Sequence, residues 1–232
     1  MLADKERTEI KLLMQQEIIP AVGCTEPIAV SLCTARATEV LGEIPDKIDV
    51  HLSANIIKNA MGVGIPGTGM NGLPIAIALG ALIGKSEKGL ELLDNISHED
   101  VERGKKFIND KIININLKDN ISEKLYIEVH CINKENRSVA TITGNHTFFS
   151  HIELNGKTLY KNDTDSKENL KNRPQLSFRK IYLYATESPI DELEFILDAA
   201  RMNKRAAERS YNGQFGHNVS KNIKGETGQR IF

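Results

Sequence analysis

The spacing of apolar residues changes twice along this chain, and that double change limits the fold more than any other feature. Up to about residue 110 the apolar positions recur mainly at helical intervals. Between 112 and 160 they alternate, as in strands with one buried face, and from 176 onward the helical interval returns. Ile10, Leu13, Met14 and Ile18 predict a helix over 4–19, ended by Pro20. A second helix follows the turn 21–27, with Thr25 as cap and Pro27 in its first turn, and runs to Leu41 before Gly42 stops it. Residues 48–52 read as a strand, 73–83 as a helix, and 98–110 as a helix capped by Ser97. Short strands are expected at 112–117, 125–132, 138–143, 147–154 and 157–160, with turns at 133–137 and Asn155-Gly156. Helices return at 176–185 and after Ser188-Pro189. The expected class is α+β: N-terminal helices, a mixed and mostly antiparallel sheet with a glycine-rich loop beside it, and C-terminal helices. The polar, lysine-rich stretch 161–175 reads as a linker between an α+β domain (1–160) and the helical start of a truncated second domain (176–232).

Charge excludes some classes of partner. A formal net charge of −1 with 26% charged residues gives no electrostatic reason to bind nucleic acid or an anionic membrane. The apolar stretch from Leu73 to Ile83 is too short to span a bilayer and contains Pro74 and Gly80. The N-terminus lacks an apolar signal core, and three sparse cysteines do not make a disulfide framework, so the expected compartment is the cytoplasm.

Of these cysteines, Cys24 precedes a helix N-terminus, where unpaired N–H groups and the helix dipole favour the thiolate. Cys33 in mid-helix and Cys131 in a strand read as packing residues. The gaps from 24 to 33 to 131 match no zinc pattern, and an iron–sulfur cluster needs at least three thiolates. Five glycines fall between residues 62 and 72. This loop has three readings: a dinucleotide fingerprint that lacks its preceding strand, a backbone nest for a small anion, or a tight structural turn. The histidines are dispersed; His146 and His151, five apart in strand-like sequence, are expected on opposite faces and not to share a metal.

Gly23-Cys24-Thr25-Glu26-Pro27-Ile28-Ala29, the stretch from Asn55 to Gly69, and Glu187 to Arg209 resemble signature segments of the L-cysteine desulfidase / iron–sulfur L-serine dehydratase-like family (UPF0597-type), in its N-terminal half. The resemblance implies a lyase that splits L-cysteine into pyruvate, ammonia and sulfide, or L-serine into pyruvate and ammonia. It implies a [4Fe–4S] cluster with Cys24 as one ligand and the others outside this chain, hence a missing C-terminal half or complementary subunit as partner. This chain alone is then inactive. Homo-oligomerisation, and apolar surface left open on the helices between 177 and 211, are further expectations. On residue type and position, the Gly64, Gly67, Thr68 and Gly69 loop with Asn55 or Asn59 would hold the substrate carboxylate. Lys58 would be a nearby cation or base, and Thr25 and Glu26 would orient cluster or substrate amine. The alternatives are a non-catalytic fragment or a module binding a small anion or a nucleotide.

Overall fold

The computed structural model describes residues 2–162 and 174–213. In chain order its elements are α1 (Asp4–Glu17), α2 (Thr25–Leu41), β1 (Lys47–Leu52), α3 (Ala54–Ala60), β2 (Gly64–Ile65), β3 (Met70–Asn71), α4 (Leu73–Ile83), α5 (His98–Asp110), β4 (Ile112–Leu117), β5 (Tyr126–Asn133), β6 (Asn136–Thr143), β7 (Phe149–Leu154), β8 (Lys157–Lys161), α6 (Phe178–Glu187) and α7 (Glu194–Asn212). Short 3-10 turns occupy Ser86–Glu91 and Ile190–Leu193. The expected α+β class is the observed one. Contacts divide the chain into two units, Pro20–Lys171 and a second made of Met1–Ile19 with Asn172–Phe232.

The larger unit is built on a six-stranded sheet of order β4-β1-β5-β6-β7-β8. Only the β1–β4 pair is parallel; the others are antiparallel. Strict alternation decides which face is inside. In β1, Ile48, Val50 and Leu52 are buried while Lys47, Asp49 and His51 are partly open, and β5 repeats the pattern with Ile127, Val129 and Cys131. Helix α2 lies on the apolar face, tied to it by polar contacts: the Ser138 hydroxyl donates to the Ala37 carbonyl at 2.6 Å, and the Cys33 thiol donates to the Ala140 carbonyl at 3.2 Å. Helix α4, apolar on nearly every side and almost wholly buried, packs behind α2. The approach is close because Gly80 carries no Cβ; one placed there would lie 2.4 Å from the Ser31 carbonyl oxygen. Gly104 of α5 plays the same part against Ile75 and Leu79 on the far side of α4.

Local signals account for most boundaries. Gly42 ends α2 in the left-handed region at φ 80°, and Ser97 with Asp100 forms a reciprocal cap on α5. Asn155 and Gly156 both take positive φ (48° and 80°), the turn that a two-residue hairpin requires. Three details differ from the sequence expectation, the first being α3 and the β2–β3 hairpin within 54–71, where no helix or strand is expected. The cap residue of α2 is Cys24, with Thr25 already helical. The turn between β5 and β6 is tighter than 133–137, because Asn133 pairs with Asn136 and Lys134 takes φ 51°. A lysine with positive φ is not a turn signal that sequence offers.

The second unit brings α1 together with α6 and α7. Glu6 pairs with Lys180 at 2.8 Å and Arg7 with Glu192 at 3.2 Å, both between exposed or half-exposed side chains. Its helices leave apolar side chains open, with Phe178 85% exposed and Tyr182 59% exposed, as the sequence led one to expect. Most of the expected linker 161–175, and the tail 214–232, lie outside the described residues. No helix among the described residues is long and apolar enough to cross a membrane.

Candidate functional site

The glycine-rich stretch folds as a two-stranded antiparallel hairpin, β2–β3, between α3 and α4. Gly67, Gly69 and Gly72 take φ 77°, 65° and 85°, so here the glycines meet a backbone requirement. Thr68 is buried and fastens the turn. Its hydroxyl donates to the Ile65 carbonyl at 2.7 Å and accepts from the Met70 N–H at 3.0 Å. That hydroxyl is therefore engaged inside the hairpin, whereas Gly64, Gly67 and Gly69 are exposed. The stretch follows a helix and closes a hairpin, so it lacks the strand–turn–helix layout of a dinucleotide fingerprint.

The hairpin meets the Cys24 turn where Pro66 approaches Gly23. Gly23 takes φ 80°, and a Cβ on it would lie 2.8 Å from Cγ of Pro66. The two motifs that stand out in the sequence, more than thirty residues apart, are thus neighbours in space. Cys24 next to that contact is partly open. Its thiol donates to Oε2 of Glu26 at 3.0 Å, and Nδ2 of Asn59 on α3 donates to the other oxygen of Glu26 at 3.1 Å. The Thr25 hydroxyl lies 3.4 Å from Glu26 Oε2 and 3.3 Å from Nε2 of His146. Cys24, Thr25, Glu26, Asn59 and His146 form one half-buried polar cluster at the start of α2.

Electrostatics at this cluster run against simple dipole reasoning. Partial burial pushes the Cys24 thiol pKa up, and the hydrogen bond and negative charge of Glu26 push the same way. The N–H groups of Glu26 and Thr25 act in the opposite sense, as a helix N-terminus should, but they are outweighed. The thiol's hydrogen bond in turn holds Glu26 below the usual carboxylate range, with Asn59 and His146 helping. His146 is lowered by burial. At neutral pH the cluster is a protonated thiol facing an ionised carboxylate, with a neutral imidazole beside it.

Other sequence candidates fall near this cluster or away from it. Lys58 and Asn55 are exposed on α3, and neither makes a side-chain hydrogen bond or ion pair among the described residues. Cys33 and Cys131 are fully buried in the core. Among the described residues, Cys24 has no two further His, Cys, Asp or Glu side chains close enough to share one ion with it. A cluster that needs at least three thiolates is therefore not completed by these residues. His146 was missed in the sequence reading, which took it for a strand residue. It lies in the loop between β6 and β7, after Gly144 and Asn145, and Asn145 Oδ1 accepts from the Thr147 N–H at 3.1 Å to shape that turn. The Gly144-Asn145 pair signals the turn, but not that the turn lands beside Thr25.

The chain is similar to UPF0597 proteins. The chain is 52% identical over 232 residues to a UPF0597 protein of Bacteroides fragilis, covering 100% of this chain and 54% of the relative. It is 53% identical over 232 residues to a UPF0597 protein of Bacteroides thetaiotaomicron, with the same coverage. A UPF0597 protein of Clostridium perfringens is 38% identical over 212 residues, 90% of this chain and 49% of the relative. The chain thus spans about half the length of the curated relatives it matches. No family model matches the sequence, and no solved structure matches it. These findings correct the family assignment drawn from the motifs. The relatives carry the UPF0597 name across the whole of this chain, and that name places it neither with the L-cysteine desulfidases nor with the iron–sulfur L-serine dehydratases, nor as a truncated half of either.

Proposed function

We propose that the Cys24 cluster is part of a lyase site that deaminates a small L-amino acid with a β leaving group, L-cysteine or L-serine. The observation that supports this reading is the Cys24–Glu26 hydrogen bond of 3.0 Å at a helix N-terminus. It fixes the direction of a partly open thiol at the start of a helix. In that reading Cys24 Sγ would be the ligand that this chain offers, the hydrogen bond to Glu26 Oε2 aims the sulfur, and Asn59 Nδ2 keeps the carboxylate in place through Oε1. The Thr25 hydroxyl and His146 Nε2 offer a donor–acceptor pair to the substrate's amine or carboxylate. Lys58, exposed on the neighbouring helix, is the cation at the rim, with Asn55 one turn away. The exposed glycines of the hairpin, Gly64, Gly67 and Gly69, let backbone approach the carboxylate. A [4Fe–4S] group, when bound, would supply a Lewis-acidic iron for the β substituent. Cys24 is the one open thiol that the described residues offer it, so its other ligands would come from further polypeptide.

The reaction balances without an oxidant. Loss of the α-proton and of the β-sulfide or β-hydroxide leaves 2-aminoacrylate, which tautomerises to an imine; water then releases pyruvate and ammonia. The test is to co-express this chain with the segment of the Bacteroides fragilis relative that lies outside the match, reconstitute it anaerobically with iron and sulfide, and assay pyruvate from each amino acid. Pyruvate release that is lost in Cys24→Ser supports the proposal. An assembly that retains iron but releases no pyruvate from either amino acid overturns it.

A further inference from the structure

The sheet face turned away from α2 carries polar side chains in register. His51 of β1 lies directly opposite Glu128 of β5, and Asp49 lies opposite His130. One ligand atom from each of His51, Glu128 and His130 lies within 4.8 Å of the others. The two imidazole rings are 5.2 Å apart between centroids and inclined at 52°. All three side chains are half-buried, so they are ordered by the sheet yet reachable from solvent. Adjacent strands hold them rigidly, because a register slip would turn the apolar residues of β1 and β5 outward.

We propose that His51, Glu128 and His130 bind a divalent transition-metal ion of the zinc class, at a site separate from the Cys24 cluster. Two imidazoles and one carboxylate are the donors that such borderline ions prefer, and the set leaves positions for water. Hard ions such as Mg2+ have little reason to bind here, because they favour oxygen donors and the site offers one carboxylate.

The surroundings fit a ligand set that is already aimed. His130, Tyr126 and Lys118 all reach the Glu128 carboxylate. Tyr126 donates to Oε2 at 2.5 Å, and Lys118 Nζ lies 3.1 Å from both oxygens. The Tyr126 hydroxyl is the kind of partner that fixes a ligand's orientation in metal sites. Two of the neighbours compete with an ion. Lys118 occupies the carboxylate from one side. Arg137 contacts Nδ1 of His130, which puts the ring proton on Nε2, where it meets Glu128 at 2.8 Å. An ion that takes Nε2 needs that proton on Nδ1 and Arg137 turned outward, which its exposed position permits. Lys118→Ala and Arg137→Ala should therefore bind the ion more tightly. A purely structural hydrogen-bond network predicts no such gain.

The experiment is Zn2+ titration by calorimetry of the whole chain carrying Cys24→Ser, so that the open thiol does not contribute, with Co2+ absorption as a check for nitrogen and oxygen ligation without sulfur. Saturable binding is expected, weakened by at least about tenfold in His51→Ala, His130→Ala and the near-isosteric Glu128→Gln. Circular dichroism confirms that each variant is folded, and Glu128→Gln keeps the test valid if an alanine variant is not. Absence of saturable binding up to about 1 mM Zn2+ overturns the proposal, since that limit corresponds to only about 4 kcal/mol. So does an affinity that Glu128→Gln and the histidine variants leave unchanged.

Discussion

Gly23 packs against Pro66 so closely that a Cβ on the glycine would lie 2.8 Å from Cγ of the proline ring. This contact seats the Cys24 turn on the glycine hairpin. Gly23→Ala must relieve both the overlap and a φ of 80° that side chains resist. A loss of about 1–3 kcal/mol is expected in urea unfolding. The variant should also change the alkylation rate of Cys24, because the turn has to shift. A stability and a rate both equal to wild type would show that Pro66 moves aside freely.

Cys24 and Glu26 give a pH signature. The folded thiol pKa is raised, so its favourable contribution is whole below the unfolded value of about 8.5 and fades as pH climbs through the folded one. The folded Glu26 pKa is lowered, so its contribution is present above about 4.3 and fades as pH falls through its folded value. The pair thus stabilises most between about pH 4.3 and 8.5. Alkylation by iodoacetamide should have its midpoint above that of free cysteine. Glu26→Gln should lower the midpoint only part of the way, since burial is the larger cause and remains. A midpoint below that of free cysteine in the wild type would mean that the helix N-terminus prevails after all.

The three cysteines differ in access. Burial pushes the Cys131 thiol up to about 12 and the Cys33 thiol well above the ordinary range. Mass spectrometry after brief alkylation at pH 8 should show modification at Cys24 alone, with all three modified in denaturant. Rapid native labelling of Cys33 would contradict the packing of α2 on β5 and β6.

Gly80 faces the Ser31 carbonyl across the α2–α4 crossing, where a Cβ would lie 2.4 Å from the oxygen. Alanine's better helix propensity, about 1 kcal/mol, favours the substitution. The overlap is with backbone, which cannot rotate away, and overpacking of this kind costs about 1–3 kcal/mol or more. Gly80→Ala should therefore lower the denaturation midpoint. An increase would show that the helices separate without penalty.

Much of the fold was legible because its signals are local. The alternation of β1 and β5, the Asn155-Gly156 turn, the Ser97 cap and the all-apolar α4 each depend on a few neighbouring residues. The tight turn at Lys134 was not legible, since positive φ at lysine is imposed by the pairing of β5 with β6. Within the candidate site, Cys24, Glu26 and Asn59 could be named from sequence. His146 could not, because a loop residue 121 positions from Thr25 carries no periodic mark of where it will land.

Most of the helices and strands, the apolar faces, and the place of Cys24 at a helix start could be read from the residues alone, though α3 and the β2–β3 hairpin could not. Hydrophobic spacing and turn chemistry act over a few residues and need no partner. It took packing and strand register to make Glu26 accept the thiol's hydrogen bond and so counter the dipole, to bring Asn59 and His146 to them, and to set His51 beside Glu128 and His130. Those outcomes depend on strand register and helix packing, which bring distant residues within a few ångströms and set the sign of each one's electrostatic surroundings.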